Sequence, residues 1–130
     1  MKIGRHTVRG WSTTQGVIAL SSGEAEYYGI AQASAIGLGF AGMMRKVGCE
    51  GVRLRVSTDA SSGNAMATRV GIGKVRHLEA SHLWVQDKVR KGELSLRKTS
   101  GLENPADKLT TYTGREGVET HLRKSGANPR

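Results

Sequence analysis

The chain has 130 residues and carries 20 Lys plus Arg against 11 Asp plus Glu, a formal charge of +9. That length allows one domain or part of one, and that charge favours a polyanionic partner, because neutralising phosphates releases counterions. Anionic membrane and acidic protein stay open as alternatives. The lone Cys49 excludes an intramolecular disulfide and a Cys-rich zinc site, and it is compatible with a reducing, intracellular compartment. The opening MKIGRHTVRGW has no apolar run of the kind a secretory signal needs. Aromatic residues are only 5%, and 18 glycines stand against 2 prolines, so the core is thin and the backbone permissive.

His6 to Leu20 reads as a short strand, a polar turn and a second extended run. Ser21-Ser22-Gly23-Glu24 then matches a capping box, with Ser21 as N-cap and Glu24 reaching back. A helix is predicted from Ser22 to about Val47, ended by Gly48. Ile30, Ala33, Ile36, Phe40, Met43 and Val47 recur at spacings of three and four, which predicts the buried face. Interior glycines cost about 1 kcal/mol each relative to Ala, so packing must hold this helix. Tyr27 to Met44 carries no charge and approaches the length of a membrane span, but Gln32, Ser34 and the glycines lower its hydrophobicity, and no membrane partner is expected.

Val52, Leu54 and Val56 alternate with Arg53 and Arg55, the period-two pattern of a strand. A short helix is predicted from about Ser62 to Arg69. The VGIGK stretch lacks the spacing of a phosphate-binding loop and reads as a connector. Residues 77–92 read as a helix with Leu78, His82, Val85 and Val89 on one face. Residues 93–99 read as a strand. Asn104-Pro105 opens a helix to about Thr111. Residues 112–130 hold one weak helical pattern, Val118 and Leu122, and are expected to form a partly disordered tail.

Three acids stand out from these elements. Glu26 lies four residues before Ile30, which predicts an inward position, whereas Glu24 lies about 200° away and is expected to face water. An acid on an apolar face is costly unless something pairs with it. Asp59 follows an apolar strand, and Asp107 sits in the first turn of its helix. Each has an ordinary alternative: Asp59 as an N-cap, Glu26 and Asp107 as acids favoured at a helix N-terminus. Carboxylates converging from distant parts of a chain are also what a hard divalent cation needs. Trp11 and Trp84 are expected to pack in the core rather than stack on bases.

The ordered set LSSGEAEY, VSTDASSGNAMA, KVRHLEASHLWVQDKVRKGELSL and NPADKLT resembles the ribonuclease H domain of copia-type LTR retrotransposon Pol polyproteins. The match runs from about His6 to Thr111. It implies an α/β, ribonuclease H-like fold, a mixed sheet flanked by helices, over residues 6–111. It also implies a hydrolase, a two-metal nuclease that cuts the RNA strand of an RNA–DNA hybrid, with Mg²⁺ (or Mn²⁺) held by Glu26, Asp59 and Asp107. His77 would move protons or help product leave, whereas His82 is expected to be a core histidine. Lys88, Arg90 and Lys91 form the densest basic cluster and are the candidates for backbone contact. A hybrid partner, an attached reverse transcriptase and a location in the cytoplasm or nucleus follow from the same resemblance.

One departure matters. The family's first strand carries a further central Asp, and residues 1–23 contain no Asp or Glu. The chain therefore reads as an N-terminally truncated domain lacking the first strands, with its activity open. The expectation is weak hydrolysis by the chain alone, unless Glu24 or Glu103 takes the absent acid's place. A non-catalytic, basic nucleic-acid-binding remnant is the alternative.

Overall fold

The computed structural model describes residues 1–4, 6–68, 83–100 and 104. The chain divides into two compact units, residues 1–14 with 100–130, and residues 15–99. His77, Asp107, the connector, the Asn104-Pro105 helix beyond Asn104 and the tail all fall outside the described residues.

In the first unit, β1 (Lys2–Ile3) pairs antiparallel with β2 (His6–Thr7), Lys2 opposite Thr7 and Ile3 opposite His6. The strand near His6 is therefore present, in a two-residue form. The second extended run forms no ladder: residues 8–20 contain no strand. Within the second unit its alternation survives as burial without a ladder. Val17 and Ala19 pack on the core, while Ile18 and Leu20 are exposed.

The second unit is built on α1 (Ser22–Lys46). Its start is the capping box expected from sequence. The Glu24 N–H donates to Ser21 Oγ at 3.2 Å, and Glu24 Oε2 accepts from the Leu20 N–H at 2.9 Å. The reciprocal bond reaches one residue further back than a standard box. At the other end Val47 is the cap and Gly48 takes φ 88°. The Gly48 and Cys49 N–H groups donate to the carbonyls of Arg45 and Met44, a Schellman ending that a left-handed residue makes possible.

β3 (Leu54–Thr58) and β4 (Leu94–Lys98) pair in parallel, Leu54 opposite Leu94 and Thr58 opposite Lys98. Between them in sequence come α2 (Ser61–Thr68) and α3 (Trp84–Arg90). The core joins Tyr27, Tyr28, Ile30 and Ala31 of α1 to Val56, Ala67, Val85 and Leu94. Trp84 packs against this cluster, in line with its expected core role. The architecture is mixed α/β. In place of one mixed sheet there are two separate two-stranded sheets among the described residues, one antiparallel and one parallel.

The buried face of α1 is in part a correction: Ile30 is buried and Ala33 packs on the core as expected, but the stripe does not stay buried to the helix end. Tyr27, Ala31, Ser34, Gly37 and Ala41 are buried, whereas Met43 is 62% exposed and Val47 is 74% exposed. Two stripes share the three-and-four spacing, and size decides between them. A Cβ placed on Gly37 would lie 2.6 Å from Leu54 Cδ1, so α1 meets β3 through its small side chains. The larger stripe emerges at the C-terminal end of α1.

Two outcomes follow from this packing. Gly37→Val should destabilise the fold by about 1–3 kcal/mol, and Leu54→Ala in the same chain should recover part of that loss. Chemical denaturation of the four proteins of that cycle measures the coupling, and strictly additive losses would place the contact elsewhere. Ser34 Oγ is buried without a hydrogen-bond partner among the described residues. Ser34→Ala should therefore leave the melting temperature unchanged or raise it, since it removes a desolvated hydroxyl.

Candidate active edge

In open α/β sheets, ligands gather outside the carboxyl ends of the parallel strands. Asp59 stands there, directly after β3 and before α2. The turn is closed by Thr58, whose Oγ1 accepts the Ala60 N–H at 3.2 Å. Asp59 is exposed and is not a capping residue, which removes its ordinary alternative.

Glu26 reaches the same edge by another route. A Cβ on Gly63, in the first turn of α2, would lie 3.0 Å from Glu26 Cβ and 3.2 Å from the Glu26 carbonyl carbon. That approach is tighter than an ordinary Cβ contact and seats Glu26 against the first turn of α2, the helix that Asp59 precedes. The expected exposures of the two glutamates are reversed. Glu24 is 4% exposed, and its carboxylate is committed to the Leu20 N–H, while Glu26 is exposed. The physical reason is the cap, which pulls the third helical residue back over its own helix end. The reversal removes the desolvation argument for Glu26. It leaves instead a free carboxylate, since neither Glu26 nor Asp59 has a hydrogen bond or ion pair among the described residues. It also disqualifies Glu24 as a substitute ligand. Glu103, Asp107 and His77 lie outside the described residues. Among the described residues no three His, Cys, Asp or Glu side chains converge.

Lys98 was not singled out from sequence. It ends β4 opposite Thr58, and its Nζ donates to Ser61 Oγ at 2.6 Å. It brings a cation to the start of α2. The usable signal was the strand pattern of residues 93–99 together with parallel pairing to β3, and the pairing is not written in either strand.

The basic cluster on α3 is ion-paired. Lys88 meets Glu93 at 2.7 Å, while Arg90 and Lys91 both meet Asp87 at 2.8 Å. Three cations against two carboxylates leave one net positive charge. Trp11 is half-buried and lies under Arg9, whose guanidinium carbon is 5.9 Å from the ring centre.

No helix among the described residues is long and apolar enough to cross a membrane. Compared with known proteins, the chain matches no family model, no curated protein and no solved structure.

The α3 pairs set a pH window. Hydrogen bonds from Lys91 and then Arg90 lower the Asp87 carboxyl from its ordinary 3.8, and the same bond to Asp87 raises Lys91 from 10.5. A lowered acid contributes above its unfolded value and loses that contribution as pH falls through the folded one. A raised lysine contributes below its unfolded value and loses it as pH rises through the folded one. Wild type and Asp87→Asn should therefore differ by a constant, small melting offset from about pH 5 to 9. The offset should shrink outside that range, and thermal unfolding across a pH series reads it.

Proposed function

We propose that this chain is a ribonuclease H-like domain of a copia-type retrotransposon Pol polyprotein. It acts on RNA–DNA hybrids beside a reverse transcriptase domain, in the cytoplasm or nucleus. The observation that carries the reading is the shared edge. Glu26 and Asp59 come from sequence positions far apart, yet both flank the first turn of α2, and both carboxylates are free among the described residues.

Those oxygens fit a hard divalent cation, and Asp107 would complete the set by resemblance. Bound Mg²⁺ would supply an activated water and charge stabilisation at the scissile phosphate. The chain's own contribution is to hold Glu26 on α1 and Asp59 just beyond β3, and to hold Lys98 against Ser61 at the start of α2, where its ammonium would oppose phosphate charge. His77 would carry a proton. The hybrid would be recognised by shape, phosphates and 2′-hydroxyls.

The second reading, a non-catalytic nucleic-acid-binding remnant, is favoured by one sequence fact: the formal charge of +9, which attracts a polyanion without any hydrolysis. Cleavage of a labelled hybrid separates the two readings. The chain alone should cut weakly with Mg²⁺. The chain joined to an N-terminal strand bearing an Asp should cut well, and EDTA should abolish the cut. Loss of outer-shell partners alone costs 10–100-fold at metal sites, so Glu26→Gln or Asp59→Asn should each cost about a hundredfold or more. Mn²⁺ should broaden amide signals around Glu26 and Asp59 in the chain alone. No cleavage by the joined protein, or cleavage that survives both substitutions, overturns the nuclease reading.

A further inference from the structure

The β3–β4 pair has a second face. Leu54, Val56, Thr58, Leu94 and Leu96 turn toward the helices, and Val56, Thr58 and Leu94 are buried. Arg55 and Ser57 of β3 and Ser95 and Arg97 of β4 are exposed on the opposite face, and exposed Arg53 continues the alternation. Arg55 stands opposite Ser95, and Ser57 opposite Arg97. No arginine therefore faces another directly, which limits repulsion. None of the three arginines has a hydrogen bond or ion pair among the described residues, in contrast to the paired cations of α3.

A parallel sheet covered by a helix on each face carries apolar side chains on both. This one alternates, so its outer face is made for water or for a charged partner. We propose that the outer face of the β3–β4 pair, through Arg53, Arg55 and Arg97, is a nucleic-acid phosphate-binding surface. The charges form a flat array. Strand geometry puts neighbouring arginines two residues apart at about 6.6 Å, and Arg55 and Arg97 about 8 Å apart across the strands. Guanidinium groups grip phosphate through paired N–H donors. The Ser57 hydroxyl lies among them as a further donor. The five residues include no apolar side chain that could anchor in a lipid surface. The formal charge of +9 adds long-range attraction for a polyanion.

This surface needs no metal and no carboxylate, so it goes beyond the cleavage reading and is tested apart from it. Binding of a fluorescent DNA duplex is followed by anisotropy in EDTA across a salt series. Arg53→Gln, Arg55→Gln and Arg97→Gln combined should flatten the log–log salt slope by about 2.7, at 0.9 per phosphate neutralised. The triple Arg→Lys chain should keep most of the slope. If the triple glutamine chain loses its far-UV circular dichroism, each single substitution should still flatten the slope by about 0.9. Adding duplex to the wild type should move the amide signals of β3 and β4. An unchanged slope in a folded triple variant overturns the proposal. So does binding of polyglutamate as tight as that of DNA at the same salt, which would assign the face to an acidic protein. Co-sedimentation with phosphatidylserine vesicles that the triple variant loses would assign it to a membrane and overturn it too. Loss of hybrid cleavage with duplex binding in EDTA intact leaves this surface standing.

Discussion

The contact of α1 with β3 sets the geometry of residues 15–99. The tip of the Leu54 side chain occupies the space that a Cβ at Gly37 would fill, so a larger residue there would have to displace it. Ser34 and Ala41 extend the same shallow groove along the helix. With α1 seated this way, its N-terminal end meets α2, and Gly63 makes the second close approach, against the backbone of Glu26. A small aromatic payload is compatible with this arrangement, because close backbone packing substitutes for large side chains. The interior glycines that weaken α1 as an isolated helix include Gly37, which lies directly against Leu54.

Electrostatics divide the charged residues into those already spoken for and those left free. Glu24 is committed to the helix cap, and Asp87 and Glu93 to the cations of α3. Surface pairs of that kind contribute little stability, but they lower the charge a polyanion meets at α3. Glu26, Asp59, Arg53, Arg55 and Arg97 are among those with no such partner among the described residues. The free acids stand at the first turn of α2, beyond the end of β3, and the free bases spread over one face of the β3–β4 pair. The proposed function rests on the acids at the strand end, and the proposed phosphate surface on the cations across the sheet face.

Much of the local structure could be read in the amino acids themselves. The Ser21–Glu24 cap, the Gly48 stop, the alternation of Val52 to Thr58 and the strand at 93–99 all depend on neighbours within a few residues, and their chemistry is explicit in the sequence. The bounds of α1, β3 and β4 fall within one or two residues of the expected ones for that reason. The resemblance of the ordered motifs drew attention to Glu26 and Asp59, and each sits on the element expected for it.

Other features depended on which surfaces meet. Periodicity offered α1 two stripes at the same spacing, and hydrophobicity pointed to the larger one. The fold kept Ile30 and Ala33 of the larger stripe and, further along the helix, buried the small Ser34, Gly37 and Ala41, where α1 passes Leu54. Burial of Glu24 and exposure of Glu26 were decided by a hydrogen bond to Leu20 and by the seat of α2, neither of which helical angle alone predicts. The extended run before Leu20 kept its alternation but found no strand to pair with, since a ladder needs a neighbour and a single segment cannot encode one. Parallel pairing placed Lys98 beside Thr58 and Arg97 beside Ser57. Alternation within one strand shows which residues share a face, but only the register between strands shows which of them stand together.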